Sequence, residues 1–339
     1  MLMKIAVLGA GTWGMALARL LFLNGNEVFV WSKLPEEVEI LSRERVHKNL
    51  PGMTIPDGIV FTSDIVFCLN GAGLVVFAVP SVFVRSTAGE AAAYLDDEVL
   101  ICDAAKGLEA RKKEGYEEFL TMSRVIEEEL KNAGVDNTVV ALSGPTHAEE
   151  VALDMPTAIV SACGDMDRAK KIQNIFANSF FRVYTNDDIL GVELCGAAKN
   201  VLALAAGIAR GMGYGDNAMA AIITRGIEEL RRLGVAMGAK ERTFSGLTGT
   251  GDLIVTATSM HSRNNRCGML IGQGMSVDEA VKSVGMVVEG INALPAVAAL
   301  ARKFDVDMPI TFILEDLTAD RITSKEALSL LMDRDMKSE

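Results

Sequence analysis

Lys4-Ile5-Ala6-Val7-Leu8-Gly9-Ala10-Gly11-Thr12-Trp13-Gly14-Met15-Ala16-Leu17-Ala18-Arg19-Leu20-Leu21 is the stretch that decides the fold. Residues 4–8 read as a short apolar strand, residues 9–14 as G-x-G-x-x-G, and residues 15–21 as the start of a helix. A dinucleotide pyrophosphate needs that order. The first Gly permits a tight turn, the second lets the backbone approach the phosphates, and the third lets helix and strand pack closely. The free N–H groups at the helix start then face the anion. A second apolar run, Glu27-Val28-Phe29-Val30-Trp31, closes a βαβ unit of ordinary size.

Further apolar, β-branched segments continue the pattern: Gly58–Phe61, Leu74–Val79, Val99–Cys102, Thr138–Leu142, Thr157–Ser161 and Phe180–Tyr184. Runs of this kind suit strands buried on both faces. Residues 48–57, with Pro51, Gly52 and Pro56, read as a loop. From about Asp187 strand patterns stop, and helical segments follow over 191–209, 217–233, 277–284, 291–303 and 325–332. Ser276-x-x-Glu279 is a capping-box signature. The expected architecture is α/β: a Rossmann-type, doubly wound dinucleotide-binding domain over 1–187. An all-α substrate-binding and catalytic domain over 188–339 follows, with the active site in the cleft between them.

Composition narrows the function classes. The chain has 339 residues, half of them hydrophobic, and a formal net charge of −12. Nucleic acid is excluded as a partner, because phosphate backbones demand clustered positive charge. No apolar run approaches the ~18 residues of a membrane span. Arg19 interrupts the apolar start, so it does not read as a signal peptide, and a cytoplasmic location is expected. Five scattered cysteines without C-x-x-C fit buried thiols in a reducing compartment, and three dispersed histidines argue against a metal site.

The second strand ends Trp31-Ser32-Lys33, where NAD-binding proteins usually carry an acid for the ribose 2′-hydroxyl. Lys33 could instead pair with a 2′-phosphate, which points to acceptance of NADPH and toward a preference for it; a plain surface lysine is the other reading. Lys106 is a cation directly after a strand end, in Asp103-Ala104-Ala105-Lys106-Gly107. Lys199 and Asn200 interrupt a small, apolar helix. A charge there is costly unless paired or used, and a desolvated lysine is suited to proton transfer; snorkelling to the surface is the bland alternative. Asp252 follows a Gly-rich turn, four residues before Thr256 on the same helix face, and could either cap the helix or act chemically. His261-Ser262-Arg263-Asn264 offers hydroxyl, guanidinium and amide, the donors a phosphate monoester needs, or is a polar loop.

Seven segments in order carry a family resemblance: Gly9–Gly14, Ala104-Ala105-Lys106-Gly107-Leu108-Glu109, Leu142–Glu150, Cys195-x-x-x-Lys199-Asn200, Gly246–Leu253, His261–Asn264 and Val287-Val288-Glu289-Gly290. Together they resemble the bacterial-type NAD(P)-dependent glycerol-3-phosphate dehydrogenases over essentially the whole chain. The resemblance implies reversible reduction of dihydroxyacetone phosphate to sn-glycerol 3-phosphate with NADPH or NADH, supplying membrane phospholipids. It implies Lys199 as general acid/base, with Asp252 orienting it. Substrate contacts would come from Lys106, Gly144, Thr146, Lys199, Asp252, Ser262, Arg263 and Asn264. Cofactor contacts would come from Gly9, Gly11, Thr12, Trp13, Gly14, Lys33, Lys106, Ala148, Arg263, Val287 and Glu289. A homodimer is implied on the same ground. Thr12-Trp13 stands where many relatives carry Ser with Tyr or Trp, and Lys33 where others often have His or Arg. The alternatives left open are a two-domain hydroxyacid or sugar-acid dehydrogenase, which also uses a helical Lys followed by Asn, and a non-catalytic NADP(H) sensor.

Overall fold

The computed structural model describes residues 3–113 and 116–333. Contacts divide the chain into two compact units, Met1–Glu109 with Leu120–Glu193, and Ala110–Phe119 with Leu194–Glu339.

The first unit is built on an eight-stranded sheet. Its strands are β1 (Lys4–Leu8), β2 (Glu27–Trp31), β3 (Val60–Thr62), β4 (Leu74–Phe77) and β5 (Leu100–Asp103). After a separate hairpin, β6 (Leu108–Lys113) and β7 (Tyr116–Thr121), the sheet resumes with β8 (Val139–Ser143), β9 (Thr157–Ala162) and β10 (Phe181–Asn186). The order is β10-β9-β8-β5-β4-β1-β2-β3. Every pair is parallel except β8 with β9, which run antiparallel. The chain leaves β1 for β2 on one side and later places β4 on the other. That reversal opens a crevice at the carboxyl ends of the strands, where open α/β sheets take ligands.

Alternate residues explain why the strand runs are apolar throughout. Ile5, Val7, Val28, Val30, Leu74 and Val76 face one core, with helix Thr12–Leu23 over it. Ala6, Leu8, Phe29, Trp31, Val75 and Phe77 face the other, under helices Val84–Ala92 and Met122–Asn132. The hairpin has no apolar run to announce it, since Leu108–Lys113 is mostly charged. Cross-strand charge holds it instead: Arg111 Nε donates to Glu118 Oε2 at 2.5 Å. Arg85 from the neighbouring helix forks onto Glu109 and also reaches Glu128, at 2.8 Å, and Glu129.

The second unit is helical apart from the hairpin residues. Helices Ile189–Gly211 and Arg263–Gly272 cross with their backbones nearly touching. A Cβ on Gly268 would stand 2.2 Å from the Leu204 carbonyl oxygen, and one on Gly207 2.2 Å from that of Asn265. Only glycine fits these positions, and the contact is with backbone, which cannot swing aside. Gly268→Ala is therefore expected to lower unfolding free energy by about 1–3 kcal/mol, the usual cost of overpacking, in denaturant titrations.

Ile189–Gly211 also corrects a reading of the sequence, in which no segment was long enough to span a membrane. By length and composition this 23-residue helix is, with a mean hydropathy of 1.5, and 83% of that window is buried inside the protein. Its apolar character is used in packing.

Glu229 is buried in helix Asp216–Ala236 and accepts from the N–H groups of Ile310 (2.8 Å) and Thr311 (3.3 Å), at the start of helix Pro309–Thr318. Burial pushes its carboxyl up to about 7, against the lowering effect of those bonds. A raised carboxyl favours the fold fully below its ordinary value near 4.5, and that contribution is lost as pH rises through about 7. Relative to wild type, Glu229→Gln should therefore gain stability between pH 5 and pH 8, by about 3 kcal/mol or less. A difference in unfolding free energy that does not vary with pH would contradict this.

Candidate functional site

In the first unit the glycine turn joins β1 to helix Thr12–Leu23. Gly9 has φ +122°, and a Cβ there would meet the Ala78 carbonyl at 2.8 Å. A Cβ on Gly14 would meet the Gly9 oxygen at 2.0 Å. A Cβ on Gly11 would meet nothing within 4 Å. Gly9 and Gly14 are thus required by packing, whereas Gly11 leaves open space beside the helix start. Gly11 is the N-cap, provides no side-chain cap, and the first turn carries no acid. Its N–H groups and positive dipole end suit a pyrophosphate. Thr12 and Trp13 form the first turn and are half-buried; the Trp13 Nε1 donor is buried and has no partner. The residues present fit a dinucleotide.

Lys33 lies past the end of β2, exposed, with Nζ 2.6 Å from Glu90 Oε2. The cation read as a 2′-phosphate partner is thus already paired.

Lys106, Gly144 and Thr146 come together after β5 and β8. Lys106 Nζ donates to the Gly144 carbonyl at 3.0 Å, and Thr146 Oγ1 donates to the same oxygen at 3.3 Å. Asp103, at the end of β5, shapes this loop, because its Oδ1 accepts from Ala105 N at 3.0 Å. Burial, and then the charge of Glu193, holds the Asp103 carboxyl well above its ordinary range. Glu193 is itself buried and accepts from Ser123 N at 2.8 Å. Ala148 begins the short helix Ala148–Val151 and is buried.

In the second unit Lys199 is 6% exposed and Asp252 0%. Lys199 Nζ is bonded to Asp252 Oδ1 and donates to Thr256 Oγ1 at 2.7 Å. Thr256 Oγ1 in turn donates to the Asp252 carbonyl at 2.7 Å. Lys199 does not snorkel, and Asp252 caps no helix; a single-turn π-helix, Leu247–Gly251, delivers it to the start of helix Asp252–Thr258. That unusual turn is built on close approach, since a Cβ on Gly249 would meet the Phe244 oxygen at 2.0 Å.

The residues grouped as phosphate donors divide by placement. Ser262 caps helix Arg263–Gly272, accepting from Asn265 N at 3.2 Å. Asn264 is buried, donating to Asn200 Oδ1 at 2.9 Å and accepting from Gly290 N at 2.8 Å. Asn200 and Asn264 therefore lock the Lys199 helix to two others. Arg263 is half-buried in the first turn of its helix. Val287 and Glu289 are half-buried, with Glu289 opening helix Glu289–Lys303. Thr256 and Asp103 were not singled out as site residues from the sequence. Thr256 had a signal in its spacing from Asp252; Asp103 had only its place before Lys106. Among the described residues no group of His, Cys, Asp and Glu is arranged to hold a metal.

Comparison with known proteins places this geometry. Residues 4–169 match the NAD-dependent glycerol-3-phosphate dehydrogenase N-terminus, and residues 188–329 the C-terminus of the same family. A glycerol-3-phosphate dehydrogenase of NAD(P)+ type from Lactobacillus delbrueckii subsp. bulgaricus is 57% identical, over 99% of this chain and 98% of its own. One from Lysinibacillus sphaericus is 47% identical, over 99% and 98%. The crystal structure of glycerol-3-phosphate dehydrogenase from Coxiella burnetii superposes with a TM-score of 0.90 at 35% identity, covering 98% of this chain and 99% of that one.

Proposed function

The chain belongs to the NAD-dependent glycerol-3-phosphate dehydrogenase family, and on that premise we propose that it reduces dihydroxyacetone phosphate to sn-glycerol 3-phosphate with NAD(P)H. The observation that carries the reaction is the buried Lys199–Asp252–Thr256 set in an otherwise apolar helical surrounding. A hydroxyacid or sugar-acid dehydrogenase is not favoured, since relatives at this identity over the full length act in the glycerol-3-phosphate family.

The bound nicotinamide supplies the hydride. The protein's own task is to bind the phosphate ester and manage one proton. As the C2 carbonyl becomes an alcohol, negative charge develops on its oxygen, and the Lys199 ammonium donates the proton that neutralises it. Asp252 and Thr256 hold Nζ in place, so its direction is set before the substrate arrives. In the reverse direction neutral Lys199 takes the proton back. Lys106, Gly144, Thr146, Ser262, Arg263 and Asn264 are assigned to the substrate, with Ser262 and Asn264 acting through the helix start that presents Arg263. Residues 1–187 are assigned to the dinucleotide and 188–339 to substrate and catalysis. Gly9, Gly11, Thr12, Trp13, Gly14, Lys33, Lys106, Ala148, Arg263, Val287 and Glu289 are assigned to the cofactor.

The product is the glycerol phosphate of membrane lipids, and the assignment is to the cytoplasm, where five buried free cysteines stay reduced. The assembly proposed is a homodimer, to be checked by sedimentation.

Arg263→Ala tests the phosphate assignment. A desolvated charge pair broken on one side costs about 2–5 kcal/mol, so kcat/KM for dihydroxyacetone phosphate should fall at least thirtyfold, mainly through KM. Turnover of unphosphorylated dihydroxyacetone should change little. A loss below twofold with the phosphorylated substrate would remove Arg263 from the phosphate site.

A further inference from the structure

The acid missing from the end of β2 is supplied from the next helix. Ser32, the first residue after β2, is 5% exposed, and its Oγ donates to Glu37 Oε2 at 2.5 Å. Leu34 N donates to the same Ser32 Oγ at 3.2 Å, so the turn from β2 into helix Pro35–Glu44 folds back on the strand end. Glu37 is thereby held at the end of β2. Burial lowers the His47 imidazole below its ordinary value, and the charge of Glu37 opposes that shift. His47 is 7% exposed, and its Nδ1 accepts from Asn49 N at 3.3 Å. The Ser32 bond places Glu37 at the carboxyl end of β2, where the adenosine ribose of a dinucleotide lies in this kind of fold. Lys33, the cation that directly follows Ser32, is held by Glu90 at 2.6 Å, with its Nζ 5.9 Å from the Trp31 ring centroid.

We infer that Glu37 is the ribose-binding acid of this chain, and that Glu37 and Glu90 together set its coenzyme preference toward NADH. The inference rests on the dinucleotide reading of the glycine turn. An ionised carboxylate can accept more bonds than the one from Ser32, so Glu37 retains acceptor capacity for ribose hydroxyls. It repels a 2′-phosphate, which offers no donor and carries charge of the same sign. Glu90 acts through Lys33, by occupying a cation at the strand end that would offset that repulsion. Lys33 near the coenzyme therefore does not by itself select NADPH.

The test measures dissociation constants of NADH and NADPH by quenching of tryptophan fluorescence, and kcat/KM for both with dihydroxyacetone phosphate. Wild type, Glu37→Gln, Glu90→Gln, the double variant of these two, Lys33→Met, and Lys33→Met combined with Glu90→Gln are compared. Wild type should bind NADH more tightly. A hydrogen bond to a charged acceptor is worth roughly tenfold or more in affinity, so the double variant should move the NADPH/NADH ratio at least about tenfold toward NADPH. Glu90→Gln alone should move it about two- to fivefold, the scale of an exposed ion pair. Lys33→Met should abolish the effect of Glu90→Gln.

A wild type that prefers NADPH would overturn the inference, as would a ratio in the double variant within twofold of wild type; Glu37 would then serve only the start of its helix. Binding separates this from the reaction itself. Absence of turnover with both coenzymes, alongside the expected shift in dissociation constants, would count against the proposed function and leave the ribose assignment standing.

Discussion

Lys199→Met lowers kcat by at least ~10²-fold, within the 10²–10⁴ range of a positioned general acid. Methionine keeps most of the apolar stem and its packing, and removes the ammonium and its proton. Saturating substrate and coenzyme isolate the chemical step, so the loss should appear in kcat. The coenzyme dissociation constant should stay within about twofold, because the glycine turn and its helix belong to the other unit. A near-normal kcat would remove Lys199 from proton transfer. A loss in kcat that came with lost coenzyme binding would point to general unfolding.

Asp252→Ala has the second large effect, on stability as well as rate. Asp252 is 0% exposed, and removing it takes the bonded carboxylate away from the buried Lys199 ammonium. Breaking a buried pair on one side costs about 3–5 kcal/mol, since the remaining charge is uncompensated. The double variant Lys199→Met with Asp252→Ala should therefore cost less than the sum of the single changes, because no unpaired charge is left inside. Urea unfolding of all four proteins measures this. Strict additivity would mean that the two side chains do not share one buried interaction.

The sheet was legible in the sequence because its inner strands are buried on both faces: most of the eight appear as short apolar, β-branched runs, with ends shifted by a few residues. The hairpin was not, because Leu108–Lys113 is held by Arg and Glu pairing, which leaves no hydrophobic period to read. Lys199 was legible as an energetic anomaly, a cation with no cheap reason to sit in an apolar helix. Asp252 by its own residue pattern could as well have been a helix cap; the resemblance implied its partnership with Lys199, and the π turn aims it there. Ser262 and Asn264 are the reverse case. Their composition suggested phosphate donors; the Ser262 hydroxyl also caps its own helix, and the Asn264 amide ties that helix to two others, a bond that only tertiary placement reveals. Glu37 was hidden for a similar reason: the acid lies six residues beyond Trp31 and reaches the strand end only because the chain turns back through Ser32.

The most direct measurement of the central claim is the initial rate of coenzyme oxidation by the wild-type protein, with dihydroxyacetone phosphate set against an unphosphorylated 2-keto acid. The account predicts saturable oxidation with dihydroxyacetone phosphate, yielding sn-glycerol 3-phosphate, and negligible oxidation with the keto acid. No turnover of dihydroxyacetone phosphate with either coenzyme, or faster turnover of the keto acid, would contradict it.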